Sequence, residues 1–104
     1  MSSLIFFMPE DFHIEKGNKG PILCNSIQGL CLVLFYSKKC DHCQYFLPIF
    51  KSLPNRIPGC LFGEANVTIK NQALIQMSKA TITPIEYVPL MILYVNGKPF
   101  MKYQ

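Results

Sequence analysis

Leu30-Cys31-Leu32-Val33-Leu34-Phe35-Tyr36-Ser37-Lys38-Lys39-Cys40-Asp41-His42-Cys43 is the stretch on which the reading of this fold turns. Residues 30–36 are apolar without alternation. That pattern at strand length predicts a central strand covered on both faces. Residues 37–40 turn out of it, and residues 41–53 read as a helix. Tyr45, Phe46, Ile49, Phe50 and Leu53 recur at three- and four-residue spacing and define its apolar face. Pro48 inside that helix removes a hydrogen bond and is expected to kink it. Cys40 then falls at the helix start, where unpaired N–H groups and the helix dipole favour a negative sulfur. Cys43 follows one turn deeper on the same side. Such a pair performs dithiol–disulfide exchange: the first sulfur attacks a substrate disulfide and the second resolves the mixed disulfide. His42 and Lys39 are placed to stabilise the thiolate, and Asp41 acts in the opposite sense.

Outward from this centre, residues 4–7 form a first short strand ended by Pro9. Residues 17–21 are a turn cluster. Residues 22–28 read as either a short helix or a loop. Downstream, Pro54, Pro58 and Gly59 break the chain before a strand at residues 60–67. A short helix fits residues 71–79, and a loop surrounds Pro84. Residues 90–95 are a strong strand, Asn96-Gly97 is a hairpin turn, and residues 99–103 begin the returning strand. Early alternation predicts parallel pairing through right-handed crossovers, and the last hairpin is antiparallel. The expectation is one α/β domain over residues 1–104, with a mixed central sheet between helical layers.

Composition narrows the function classes. The chain has 104 residues and is half apolar, so it builds a core without a disulfide framework. Ten basic and six acidic residues give a formal charge of +4. The lysines are scattered, which is not the clustered footprint of a nucleic-acid binder. Five cysteines are an odd number. Only Cys40 and Cys43 have diagnostic spacing; Cys24, Cys31 and Cys60 read as small buried hydrophobes. That pattern suits a reducing compartment with one redox pair, hence a cytoplasmic expectation. Residues 4–8 are too short for a signal-peptide core, and no run approaches a membrane span. Cys40 and Cys43 supply only half a zinc site, with His13 and His42 oddly placed to complete it. The reading therefore expects no metal and no cofactor beyond the Cys40–Cys43 disulfide.

Residues 33–43 resemble the active-site segment of the thioredoxin superfamily. Pro48, five residues after Cys43, matches its helix-kinking proline. Tyr87-Val88-Pro89-Leu90-Met91-Ile92-Leu93-Tyr94-Val95-Asn96-Gly97-Lys98 resembles its segment of cis-proline, strand and hairpin. The resemblance implies a thioredoxin-like three-layer fold, a cis Val88–Pro89 bond beside the sulfurs, and Val88 offering backbone hydrogen bonds to an extended substrate. It places Tyr36, Lys39, Asp41, Val88 and Pro89 at the substrate, with protein thiols or disulfides as partners. This chain also departs from the family pattern. Lys39 stands where thioredoxins carry tryptophan, and Leu34 stands where they carry a buried aspartate. Glu64 is the expected substitute, assisting deprotonation of Cys43. His42 is more like the motif of protein disulfide isomerases and DsbA-type oxidants. The family's final helix has no counterpart before Gln104, which would leave an apolar sheet face uncovered. Residues 59–67 are also similar to thioredoxin-like proteins of large DNA viruses. That likeness opens a second reading: a non-catalytic subunit of a larger assembly such as a virion.

Overall fold

The computed structural model describes residues 4–68 and 72–103. Five strands form the central sheet. β1 (Leu4–Phe7), β4 (Leu30–Tyr36), β5 (Leu61–Asn66), β6 (Leu90–Val95) and β7 (Lys98–Tyr103) lie in the order β1-β5-β4-β6-β7. β5 pairs in parallel with both β1 and β4. β6 is antiparallel to β4 and to β7. The sheet is therefore mixed, and the continuous apolar run of β4 sits at its centre.

The two faces are covered differently. On one face lies helix α1 (Asp41–Ser52), continued by a 3-10 turn at Leu53–Asn55. Leu34, Tyr36, Cys43, Phe50 and Phe62 are buried there. On the other face lie helix α2 (Gln72–Lys79) and a separate hairpin of β2 (Phe12–Lys16) and β3 (Pro21–Asn25). Phe12 and Leu23 of the hairpin and Leu74 of α2 pack on Val33, Phe35, Leu90, Ile92 and Tyr94.

The β2–β3 hairpin corrects the expectation of a helix or loop at residues 22–28. Gly17-Asn18-Lys19-Gly20 closes a tight turn in which the Gly17 amide donates to the Gly20 carbonyl at 2.8 Å. The turn pairs Ile14 with Leu23 and Phe12 with Asn25. Phe12–Lys16 alternates over only a few residues and Pro21–Asn25 does not alternate, so the period-two signal is weak; tertiary docking of Phe12 and Leu23 selects the strand form. The apolar face assigned to α1 also needs correction. Phe50 is fully buried, but Tyr45 is 79% exposed and Ile49 48%. Only part of the stripe reaches the sheet: Phe46, Phe50 and Leu53 join the core under α1, while Tyr45 and Ile49 stay exposed. The expected start of α2 at Asn71 lies outside the described residues.

Asn96 and Gly97 both have positive φ, 52° and 84°, the conformation a tight β6–β7 turn requires. On the α1 side of the sheet, Leu32, Leu93 and Met101 sit side by side across three strands. Leu32 and Leu93 are half-buried and Met101 is exposed.

Candidate active site

Cys40 is the N-cap of α1. Its backbone is extended, its amide donates to the Ser37 carbonyl at 3.2 Å, and its carbonyl accepts from Gln44 at 3.1 Å. The sulfur therefore faces the first turn. The Cys43 amide donates to Cys40 Sγ at 3.1 Å, one of the helix-start donors that otherwise lacks a partner. The Lys39 amide donates to Ser37 Oγ, and Gln44 Nε2 donates to the Lys38 carbonyl, fixing the turn before the cysteine. The Lys38 amide donates to Thr68 Oγ1, which ties this turn to the segment after β5.

The two sulfurs differ in environment. Cys40 is partly exposed, whereas Cys43 has no solvent access. Both are free thiols. Burial first, and the hydrogen bond with Cys40 second, push the Cys43 thiol up to about 11. At neutral pH Cys43 is thus a thiol that ionises only when a base takes its proton. On the other side of the pair, the Cys40 thiol points at the Val88 carbonyl, 3.6 Å away. The Val88–Pro89 peptide bond is cis.

Clefts flank Val88 and Pro89. One, of about 460 Å³, is lined by Asp41, His42, Tyr45, Phe46 and Pro89. The other, of about 260 Å³, runs along Ser37, Val67, Ile75, Ile85, Glu86, Tyr87 and Val88. Lys39, Asp41 and His42 are exposed around the partly exposed sulfur. Tyr36 is buried below it and hydrogen-bonds Glu64; burial, followed by the Glu64 charge, pushes its hydroxyl up. Glu64 is the only buried carboxylate among the described residues, and its Oε2 has no hydrogen-bond partner among them. It pairs with Leu34 across β4–β5, on the sheet face that also buries Cys43.

The structure thus gathers Cys40, Asp41, His42, Cys43, Val88 and Pro89 at one end of the sheet, and puts Tyr36 and Glu64 in the layer beneath. Sequence reasoning missed Tyr45 as a surface group and, although it placed Tyr87 in the cis-proline segment, did not name it as a cleft residue. The signal for Tyr45 was present: His42, Tyr45 and Ile49 recur at helical spacing on the side of α1 away from Phe50.

The profile of the thioredoxin family matches residues 22–104, which include every one of these groups. The chain belongs to the thioredoxin family. Among solved structures, this thioredoxin domain is similar to thioredoxin f2 of Chlamydomonas reinhardtii, with a TM-score of 0.71 and 19% identity over 97% of this chain and 82% of that one. It is also similar to Fasciola hepatica thioredoxin, with a TM-score of 0.58 and 20% identity over 75% of this chain and 69% of that one. At these identities the likeness is one of fold. Among curated proteins, it is 36% identical to uncharacterized protein 196R of Invertebrate iridescent virus 6, across 99% of this chain and 63% of that protein. It is 34% identical to uncharacterized protein 020R of Invertebrate iridescent virus 3, across 93% of this chain and 60% of that protein. The domain spans less than two-thirds of the length of these viral relatives. Family membership with Cys40 and Cys43 side by side supports a thioredoxin-like redox role, and protein thiols are the partner class of the family. No helix among the described residues is long and apolar enough to cross a membrane.

Proposed function

We propose that this domain is a thiol–disulfide oxidoreductase acting on protein substrates through Cys40 and Cys43. The observation that carries the reading is the asymmetry of the pair: a half-exposed sulfur capping α1 at 3.1 Å from a helix-start amide, and a fully buried second thiol beneath it. In the reductive direction the Cys40 thiolate attacks one sulfur of a substrate disulfide. An S–S bond forms between Cys40 and the substrate, and the other substrate sulfur leaves as a thiolate. Cys43 then loses its proton and attacks Cys40 Sγ. The substrate's second sulfur departs, the Cys40–Cys43 disulfide forms, and the substrate has gained two electrons. The oxidative direction is the reverse.

The surrounding residues take defined parts in this reading. Val88 and Pro89 hold an extended substrate segment by backbone contact, as in strand addition. Lys39 and Asp41 border the substrate; Tyr36, expected beside them, is buried beneath the sulfurs and hydrogen-bonds Glu64 instead. His42 stabilises the Cys40 thiolate from the exposed rim. Glu64 accepts the Cys43 proton during resolution, since it is the buried base on that sheet face. The test is a redox equilibrium of the pair against glutathione, with Cys40→Ser as control and Cys43→Ser to trap the mixed disulfide. A two-electron couple lost in both variants supports the reading. A potential of about −270 mV marks a reductant, and one between about −120 and −180 mV an oxidant or isomerase. A pair that does not exchange refutes the reading.

The viral relatives and the apolar Leu32–Leu93–Met101 strip, half-buried at Leu32 and Leu93 and exposed at Met101, favour a second reading, a subunit of a larger viral assembly. Function that survives Cys40→Ser in the infected cell would select it over the first.

A further inference from the structure

The β2–β3 hairpin, remote in sequence from the cysteine pair, brings three donor groups together. Cys24 and His13 are directly opposite one another in the β2–β3 register, and Glu15 lies two residues along on the same face of β2. The thiol, the imidazole and the carboxylate each place a ligand atom within 4.8 Å of the other two. His13 Nε2 and Glu15 Oε2 are hydrogen-bonded at 2.6 Å. Cys24 is sealed from solvent, while His13 and Glu15 are exposed. The cluster is thus open at one side and floored by sulfur. The Tyr94 hydroxyl is buried and has no hydrogen-bond partner among the described residues; burial, followed by the Cys24 and Cys31 thiols, pushes it up.

We propose that His13, Glu15 and Cys24 form a binding site for zinc. The donor set decides the ion. Hard cations such as magnesium and calcium take oxygen ligands, and this site offers one carboxylate. A thiolate with an imidazole and a carboxylate is a borderline-soft set of the kind zinc takes, with a fourth position left for water. Bond lengths of about 2.0–2.3 Å put neighbouring donors in such a tetrahedron about 3.3–3.6 Å apart. Reaching that spacing requires the exposed His13 and Glu15 side chains to open their hydrogen bond and turn toward the sulfur. The buried thiol need not move. On binding, Cys24 forms an S–Zn bond and its proton passes to solvent; His13 binds as the neutral imidazole. The negative thiolate and carboxylate balance the dication. Burial, and then the Glu15 charge, hold the Cys24 thiol above its ordinary value, and Lys98 acts in the opposite sense. The ion would staple β2 to β3 and stabilise the folded chain in proportion to its occupancy.

The experiment uses the full chain carrying Cys40→Ser and Cys43→Ser, so the redox pair supplies no competing thiolate. Cobalt is titrated into the reduced protein as a spectroscopic stand-in, followed by zinc. The expected result is one equivalent of cobalt bound with a thiolate-to-metal charge-transfer band, displaced by zinc, together with a rise in thermal midpoint on zinc addition. Cys24→Ser removes the band. His13→Asn and Glu15→Gln are exposed replacements that leave folding intact. Each weakens zinc binding by at least the ~10–100-fold that even a supporting partner's loss produces at a metal site. Absence of the band in the starting protein overturns the proposal. So does a band of undiminished affinity in His13→Asn, which would place the metal on Cys60 or elsewhere.

Discussion

Cys43 and Cys31 are both fully buried, and both thiols stand above their ordinary value of 9.0, at about 11 and about 12. Burial is the leading cause in each case. In the unfolded chain both ionise near 9.0. Above that pH the unfolded state binds fewer protons than the folded state, so stability falls as pH rises. Below it both thiols are protonated in both states and contribute no slope. The urea midpoint of the reduced protein is therefore expected to drop steadily from pH 9 toward 11, and Cys31→Ala is expected to flatten that drop. An equal slope in Cys31→Ala would show that its thiol does not carry the effect. Tyr94 offers a second residue-scale test, because its buried hydroxyl lacks a partner among the described residues. Removing an unsatisfied buried polar group relieves its desolvation, so Tyr94→Phe is expected to be neutral or to gain about 1 kcal/mol. A loss of that size in a denaturant titration would show that the hydroxyl is satisfied. At this scale the sequence was legible wherever spacing alone carries the chemistry, as at Cys40 and Cys43. Glu64 was reached only through the family resemblance and not through spacing, because burial of a carboxylate depends on which sheet face its neighbours cover. The donors at positions 13, 15 and 24 were not legible, because only the hairpin register brings them together.

At the scale of elements, the β6–β7 turn and the β2–β3 hairpin depend on each other. The Asn25 amide at the end of β3 donates to the Gly97 carbonyl at 2.9 Å. A Cβ on Gly97 would stand 2.1 Å from the Asn25 carbonyl oxygen, and the residue already has φ of 84°. Gly29 has nearly the same φ, 80°, with nothing within 4 Å of its would-be Cβ. The two glycines therefore separate conformational strain from steric contact. Gly29→Ala is expected to lose about 1–2 kcal/mol, the left-handed penalty alone. Gly97→Ala adds a backbone clash and is expected to lose clearly more, with the hairpin's protection from amide exchange falling first. Equal losses in urea titrations would mean that the hairpin shifts to accommodate the methyl group. The Asn96-Gly97 turn, β4, α1 and β6 were legible because each carries a strong local signal: an apolar run, helical periodicity or a turn dipeptide. The β2–β3 hairpin was not. Its strands bury only Phe12, Leu23, Cys24 and Asn25, and its pairing is set by docking onto α2 and the sheet rather than by its own pattern.

At the scale of the whole molecule, the central sheet separates two cores of unequal kind. The hairpin side is the larger, knit by Phe12 against Phe7, Phe35 and Tyr94 at ring distances of 5.2–6.3 Å. The α1 side is smaller and includes Cys43, with Phe50 edge-on to Phe62 at 5.9 Å and within 6.5 Å of Phe46. The redox pair thus rests on the smaller core. Truncating a buried phenylalanine typically loses about 3–5 kcal/mol, a large share of the about 5–15 kcal/mol that holds a domain folded. Phe12→Ala and Phe50→Ala are therefore expected to destabilise by similar amounts. Their consequences for chemistry differ. Phe50 anchors the helix whose first turn holds Cys40 and Cys43, so Phe50→Ala frees that turn and shifts the glutathione equilibrium of the pair. Phe12 lies across the sheet, so Phe12→Ala leaves that equilibrium in place as long as the protein is folded. The measurement is the redox equilibrium of each variant at a temperature where circular dichroism shows both folded. Equal shifts in the two would mean that the sheet transmits packing changes from one face to the other, and that the cysteine pair is tuned by the whole domain rather than by the layer on which it sits.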